Sequence, residues 1–246
     1  MHLSEFEPED LSSADGRSYL SETIRTLGLS RSADRAATGS DGRDSGLYRR
    51  YFKRLFDLAV VILAAPFVLI VVALLALLVR RDGGPAFYWQ NRVGQNGRIF
   101  RCWKLRSMVV DAEGQLAEYF AGNPAARAEW DTHQKLKKDP RITPLGRLLR
   151  KSSLDELPQL WNVFRGEMSL VGPRPMLPEQ RSLYPGKAYY RLRPGLTGFW
   201  QVSDRNDSSF AARAVYDTRY NSRLSFLTDM LVLLTTAWVV LRGTGY

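Results

Sequence analysis

An α+β fold, mostly helical and seated on a membrane surface, is predicted from three features of the 246-residue sequence. Residues 58–79, LAVVILAAPFVLIVVALLALLV, are 22 apolar residues in succession without a charge. Residues 98–108, RIFRCWKLRSM, alternate apolar and basic positions at a period of two, as a strand with one charged face does. Residues 224–241 are apolar except for Ser225, Thr228, Asp229, Thr235 and Thr236, which fall on one helical stripe.

Residues 1–46 are rich in Ser, Asp, Arg and Gly, with nine acids against five bases. Such a composition cannot bury enough apolar area to offset chain entropy, so a disordered extension is expected there. It has neither the basic start nor the apolar stretch of a secretory signal, so neither export nor cleavage is expected. The extension carries −4 and the whole chain +10, which leaves +14 on residues 47–246, read as one domain. A body so basic attracts anions: lipid headgroups, phosphorylated substrates or nucleic acid. Cys102 is the single cysteine, and His2 and His133 are the only histidines. A disulfide frame, a zinc site and a histidine-based triad are thereby excluded, and chemistry falls to carboxylates, amines and guanidiniums.

A straight helix over 58–79 would measure roughly 33 Å, enough to cross a bilayer. Two features argue for a helix that dips in and returns. Pro66 lacks an N–H and crowds the carbonyl four residues back, which should kink the helix into arms of roughly 12 and 20 Å, neither long enough to span. Both flanks are basic, with Arg49, Arg50, Lys53 and Arg54 before and Arg80 and Arg81 after, and bases at membrane ends favour the cytoplasmic face. An ordinary span is the competing topology.

A small strand-like region near 86–106 follows, in which Lys104 and Arg106 form either a solvated strand edge or a strip facing phosphates. Residues 111–138 read as helix, interrupted at 122–124 by the turn sequence GNP. Arg141, Arg147, Arg150 and Lys151 then precede two adjacent acids in SSLDELPQLWN, residues 152–162. Asp155 and Glu156 can be simple helix-start residues, since SLDE fits a capping box and acids suit the positive end of the helix dipole. Pro158 is comfortable only in a first turn, which moves the expected helix start to about Asp155. Pro- and Gly-punctuated loops follow, carrying Arg174, Arg193 and Arg205. The acid at Asp229 would be costly within hydrocarbon, so 224–241 is expected to lie on the membrane or pack on the core.

The segments KRLFD, KLRSM, SSLDELPQLWNVFRGEMSLVGPRP and RPGLTGFWQVSDRN, in this order over about residues 50–246, closely resemble the bacterial sugar transferases, monotopic polyprenol-phosphate phosphoglycosyl transferases. The resemblance is to the short type, without the four-helix membrane module of longer members. It implies transfer of a phosphosugar from a nucleotide diphosphate sugar, with UDP-glucose or UDP-galactose favoured, to polyprenol phosphate at the cytoplasmic face of a bacterial inner membrane. It also implies Asp155 as nucleophile, Mg²⁺ held at Asp155 and Glu156, and phosphate-binding roles for Arg150, Arg174 and Arg205. One departure is QVSDRN, where members often have Asn-Gly before the arginine and this chain has Asp204. Residue chemistry is compatible: a carboxylate attacking a pyrophosphate needs cations to screen like charges, and an ionised Asp needs no general base. A membrane-surface adaptor binding anionic lipids would also explain the anchor and the charge, but has no use for the acids. A nucleic-acid binder is a poor fit to 22 consecutive apolar residues.

Overall fold

The computed structural model of the chain describes residues 44–133, 136, 139–203 and 210–241. All but the last three residues of the expected disordered extension lie outside the described residues, as do Asp204 and Arg205. Over the described residues the chain is mostly helical, with two small two-stranded sheets.

Helical structure runs from Asp44 through a π-helical turn at Tyr48–Phe52 into α1, Lys53–Val79, and ends in a 3-10 turn at Arg80–Asp82. The α1 helix continues without interruption through Pro66. Its length and composition, with a mean hydropathy of 3.2 over its most apolar window, suffice to cross a membrane. Burial along it is uneven in an informative way. Lys53, Asp57 and Val61, spaced by four, are buried on the core, and Val79 is buried at the far end, whereas Leu63 and Phe67 between them are 81% and 73% exposed. Val61 packs in one cluster with Phe100, Cys102 and Val163, and Val79 in another with Leu105 and Leu149. Both ends of the apolar helix therefore rest on the same basic body, and its middle stands bare.

Within the expected strand-like region near 86–106, strands β1, Phe87–Val93, and β2, Ile99–Leu105, pair as an antiparallel hairpin, with Tyr88 opposite Lys104 and Gln90 opposite Cys102. Helices α2, Ala112–Gly122, and α3, Pro124–His133, separate at the predicted break. Helix α4, Pro144–Lys151, starts with Thr143 Oγ1 accepting from the Gly146 N–H at 2.9 Å. Helix α5, Gln159–Arg165, is pinned to β2 by Asn162, which is fully buried. The Asn162 side chain accepts from the Trp103 N–H at 3.1 Å and donates to the Arg101 carbonyl at 2.7 Å.

A parallel pair that sequence periodicity did not anticipate joins β3, Ser169–Val171, to β4, Gly195–Thr197. Each strand is three residues long, too short to show a period. Its glycines permit an unusually close backbone crossing: a Cβ on Gly195 would lie 2.1 Å from the Gly172 nitrogen, and one on Gly198 would lie 2.1 Å from the Gly172 oxygen. Helices α6, Phe199–Val202, α7, Arg213–Arg223, and α8, Phe226–Leu241, complete the described chain. Of the two expectations for the last segment, packing on the core holds for its polar stripe: Asp229 is fully buried, while Leu227 and Leu234 on the other side are exposed.

Candidate active site

The two acids do not start an α-helix. Ser153 adopts a left-handed conformation, φ 56°, and makes no capping bond, so the capping box does not form. The chain turns sharply there into a 3-10 turn, Leu154–Glu156, and α5 begins only at Gln159, with Pro158 at its boundary. Placing the helix start near Asp155 was therefore four residues early. The reason is the positive φ at Ser153, which takes the chain out of helical space before the acids, together with the missing N–H of Pro158.

This turn presses Asp155 inward, to 6% exposure, and leaves Glu156 partly exposed beside it. Because Asn162 fixes the register of α5 on β2, Lys104 arrives between the two carboxylates. Its ammonium lies 2.7 Å from Glu156 Oε1 and 3.7 Å from Asp155 Oδ2. Arg174, carried by the loop after the Gly172 crossing, reaches Glu156 Oε1 at 3.5 Å. Arg150 in the last turn of α4 donates from Nε to Ser107 Oγ at 2.9 Å, and its charge acts on Asp155. Burial raises the Asp155 carboxyl above its ordinary range, and Glu156 adds to this; Lys104, Arg150 and Arg174 oppose it. A cleft beside the turn is lined by Arg92, Cys102, Lys104, Glu156, Gln159 and Arg174, with Pro175, Gly195 and Leu196. Burial pushes the Cys102 thiol up to about 11, so this sulfur stays protonated and is a poor nucleophile near neutrality.

Asp155, Glu156, Lys104, Arg150 and Arg174 thus come together. Arg106 does not join them. It lies one residue beyond β2 and clamps the far end of α1, donating to Asp82 Oδ2 at 2.8 Å, the Pro85 carbonyl at 2.7 Å, the Met108 carbonyl at 2.9 Å and the Val79 carbonyl at 3.2 Å. In return its guanidinium holds the exposed Asp82 carboxyl down at about 2. The period-two pattern placed Arg106 on the face of Lys104, but the strand ends at Leu105 and the pattern ends with it. Arg205 lies outside the described residues. Of the cations just ahead of the acids, Arg150 acts on Asp155, whereas Arg141 pairs with Asp139 at 2.6 Å and Arg147 turns to the Ile142 carbonyl. Arg193 donates to the Gly166 carbonyl and secures the end of α5.

Arg92 and Gln159 were missed. Arg92 is held by the Pro175 carbonyl at 3.1 Å and by Gln90 Oε1 at 2.7 Å. Its signal was present, since Tyr88, Gln90 and Arg92 alternate along β1 on the face that carries Lys104 across the hairpin. Among the described residues no group of three or more acidic, histidine or cysteine side chains could hold a metal. A pair of carboxylates is nonetheless a suitable donor set for Mg²⁺, which is held by one or two carboxylates with phosphate and water oxygens supplying the rest. The Lys104 ammonium, already between Asp155 and Glu156, marks that position as one that favours a cation.

Residues 48–243 match the family model described as bacterial sugar transferase. The chain is 48% identical over 198 residues to the UDP-galactose-lipid carrier transferase of Erwinia amylovora, covering 80% of this chain and 42% of that protein. It is 44% identical over 210 residues to the exopolysaccharide production protein ExoY of Sinorhizobium fredii, covering 85% and 92%. It is 46% identical over 202 residues to the undecaprenyl-phosphate galactose phosphotransferase of Salmonella typhimurium, covering 80% and 42%. The chain therefore spans less than half the length of two of these relatives and nearly all of the third.

Proposed function

Since the chain belongs to the bacterial sugar transferase family, we propose that it transfers a hexose phosphate from UDP-galactose or UDP-glucose to polyprenol phosphate, releasing UMP, as a membrane step of exopolysaccharide assembly. The observation that carries this reading is the Asp155 carboxylate, 6% exposed, set behind Lys104 at a cleft lined by Arg92 and Arg174. The names of the relatives supply the donor and the lipid acceptor.

In the first half-reaction an oxygen of Asp155 attacks the phosphorus next to the sugar. The bond from that phosphorus to the bridging oxygen breaks, and UMP departs with the electron pair. In the second, a phosphate oxygen of the polyprenol phosphate attacks the same phosphorus and returns the carboxylate. Lys104 orients the two acids, and Arg174 and Arg150 screen the approach of one anion to another. Mg²⁺, which Asp155 and Glu156 would hold, supplies charge neutralisation on the phosphate oxygens. The site's burial sets the pH dependence: with the Asp155 pKa raised, the acid limb of activity lies above the ordinary carboxylate range. Assay of nucleoside monophosphate release from a panel of nucleotide sugars, with polyprenol phosphate present, tests the reading. Release of UMP from a UDP-hexose is expected, and folded enzyme that releases no monophosphate from any donor overturns it.

We further propose a re-entrant α1, with the active site on the cytoplasmic face of the inner membrane. Support comes from the burial of Lys53, Asp57 and Val61 and of Val79 on one body, since a charged domain cannot touch both ends of a helix that crosses a bilayer. Cys102 is 3% exposed and does not compete for labelling reagents. Cysteines placed at Arg50 and Arg81 should therefore both resist an impermeant maleimide in intact cells and both react after permeabilisation. Opposite accessibility of the two would establish a span.

A further inference from the structure

Six buried side-chain nitrogen or oxygen atoms among the described residues lack a hydrogen-bond partner, and four of them belong to α6 with its terminal Ser203 and to the start of α7, which packs on it: Gln201 Oε1 and Nε2, Ser203 Oγ and Arg213 Nε. Native proteins pair nearly all buried polar atoms, because an unpaired one forfeits its hydration without return. A concentration of four calls for a ligand.

Its position says which kind. Gln201 is in α6, which follows directly on β4, and Gly195 and Leu196 of β4 line the cleft with Arg92, Arg174 and Glu156. A Cβ added to Gly198 would lie 3.1 Å from Gln201 Oε1 and 2.1 Å from the Gly172 oxygen. The Gln201 amide therefore sits at the backbone crossing, two residues from Arg174. Arg213, from α7, places its guanidinium carbon 4.1 Å from the centre of the Trp200 ring and 4.6 Å from that of Phe210. The carboxylate of Asp217, one turn along α7, accepts from the Tyr184 hydroxyl at 2.7 Å and attracts Arg213 less strongly than burial and Arg174 oppose its charge. Burial, and after it the positive charge of Arg174, push the Arg213 pKa down to about 10. Cations crowded in this way gain from an anion.

Gln201 Nε2, the Ser203 hydroxyl and Arg213 Nε are three donors, suited to phosphate oxygens; Gln201 Oε1 is an acceptor, suited to a sugar hydroxyl. We infer that Gln201, Ser203 and Arg213, beside Arg174, seat the nucleoside monophosphate half of the donor in a subsite apart from the Asp155–Glu156 turn. The three residues are each partly exposed, so rotamer changes suffice to turn their polar ends to an incoming nucleotide. This inference rests on the function proposed above.

The test uses the full chain in detergent, with UMP as the probe and Gln201→Leu, Ser203→Ala and Arg213→Met as variants. Each removes an unpaired buried atom, so wild-type or higher melting temperatures are expected without nucleotide. UMP affinity measured by calorimetry should fall tenfold or more in Gln201→Leu and Arg213→Met, and the KM for UDP-hexose should rise by a similar factor. Discharge of the covalent intermediate by polyprenol phosphate should keep its wild-type rate. Wild-type UMP affinity in folded variants, or slowed discharge with unchanged UMP affinity, overturns the subsite. If Gln201→Leu does not fold, Ser203→Ala, which loses one hydroxyl, carries the comparison, with a severalfold loss of UMP affinity expected and none refuting it. A wild-type protein that neither binds UMP nor releases it from a UDP-hexose defeats the proposed function itself, a result distinct from variants that bind as well as wild type.

Discussion

Asp155→Asn should lose the covalent intermediate altogether while keeping, or gaining, thermal stability. Given a UDP-hexose labelled in the sugar and no lipid acceptor, wild-type protein is expected to release UMP once per active site and retain the label. An amide is neutral and a poor nucleophile, so the label on Asp155→Asn should fall to background and turnover by on the order of 10⁴ or more. The gain in stability follows from linkage. Burial raises the folded-state pKa of Asp155 above its unfolded value, so the carboxyl's favourable contribution to stability is fully present below the unfolded pKa. It is lost as pH rises through the folded value, and at neutral pH the fold bears the desolvated charge. Asparagine carries no such charge, and it also relieves the repulsion from Glu156; Lys104 keeps its 2.7 Å contact with Glu156. The difference in melting temperature between the two proteins should therefore shrink as the pH is lowered. A label that persists in Asp155→Asn, or transfer that needs both substrates together with no labelled intermediate, points to direct attack by the lipid phosphate. A large loss of stability would instead make Asp155 a structural acid.

How much of this was legible in the sequence depends on the range of the interaction. The strand-like region near 86–106, the break at Asn123 and the polar stripe of α8 are local patterns with a period or a breaker, and they could be read directly. The pairing of β3 with β4 could not, because strands of three residues have no period and the contact joins Gly172 to Gly195, 23 positions apart. The same limit applied to the cations. Arg106 and Lys104 look alike in sequence, yet one sits inside the strand register that Asn162 fixes and the other sits just past its end, beside Asp82. Charge density before the acids was a poor guide as well: Arg150 is aimed by the docking of α4 on Ser107, while Arg141 and Arg147 turn to Asp139 and the Ile142 carbonyl. Arg92 was recoverable from alternation along β1. The roles of Asp155 and Glu156 came from family resemblance, since residue physics alone left a helix-start reading open. The structure narrows that choice by placing them on a 3-10 turn rather than at a helix N-terminus.

Loss of the Asp229 carboxylate should destabilise the protein more than any substitution at the active site. Asp229 is fully buried where three elements meet. Its Oδ2 accepts from Lys53 Nζ at 2.6 Å and from the Tyr48 hydroxyl at 2.8 Å, and its Oδ1 accepts from the Tyr220 hydroxyl at 2.7 Å. These bonds fasten the start of α1 to α7 and α8, and so anchor the long apolar helix to the rest of the domain. In Asp229→Ala the Lys53 ammonium, with only a tenth of its side chain exposed, is left buried without its ion-pair partner, with Asp57 acting on it only at longer range, and two hydroxyls lose their acceptor. Breaking one side of a buried pair costs about 3–5 kcal/mol, which for a domain of this size lowers the melting temperature by roughly 10 °C. The cost belongs to the stranded charge rather than to the absent attraction, so Lys53→Met combined with Asp229→Ala should recover most of it. Intrinsic tryptophan fluorescence in detergent follows the four melts of this double-mutant cycle. If the double variant is as unstable as Asp229→Ala, packing around the carboxylate and not the uncompensated ammonium sets the penalty. If instead Asp229→Ala melts within about 1 °C of wild type, too small a shift for even a 1 kcal/mol loss, the network does not hold α1 to the body.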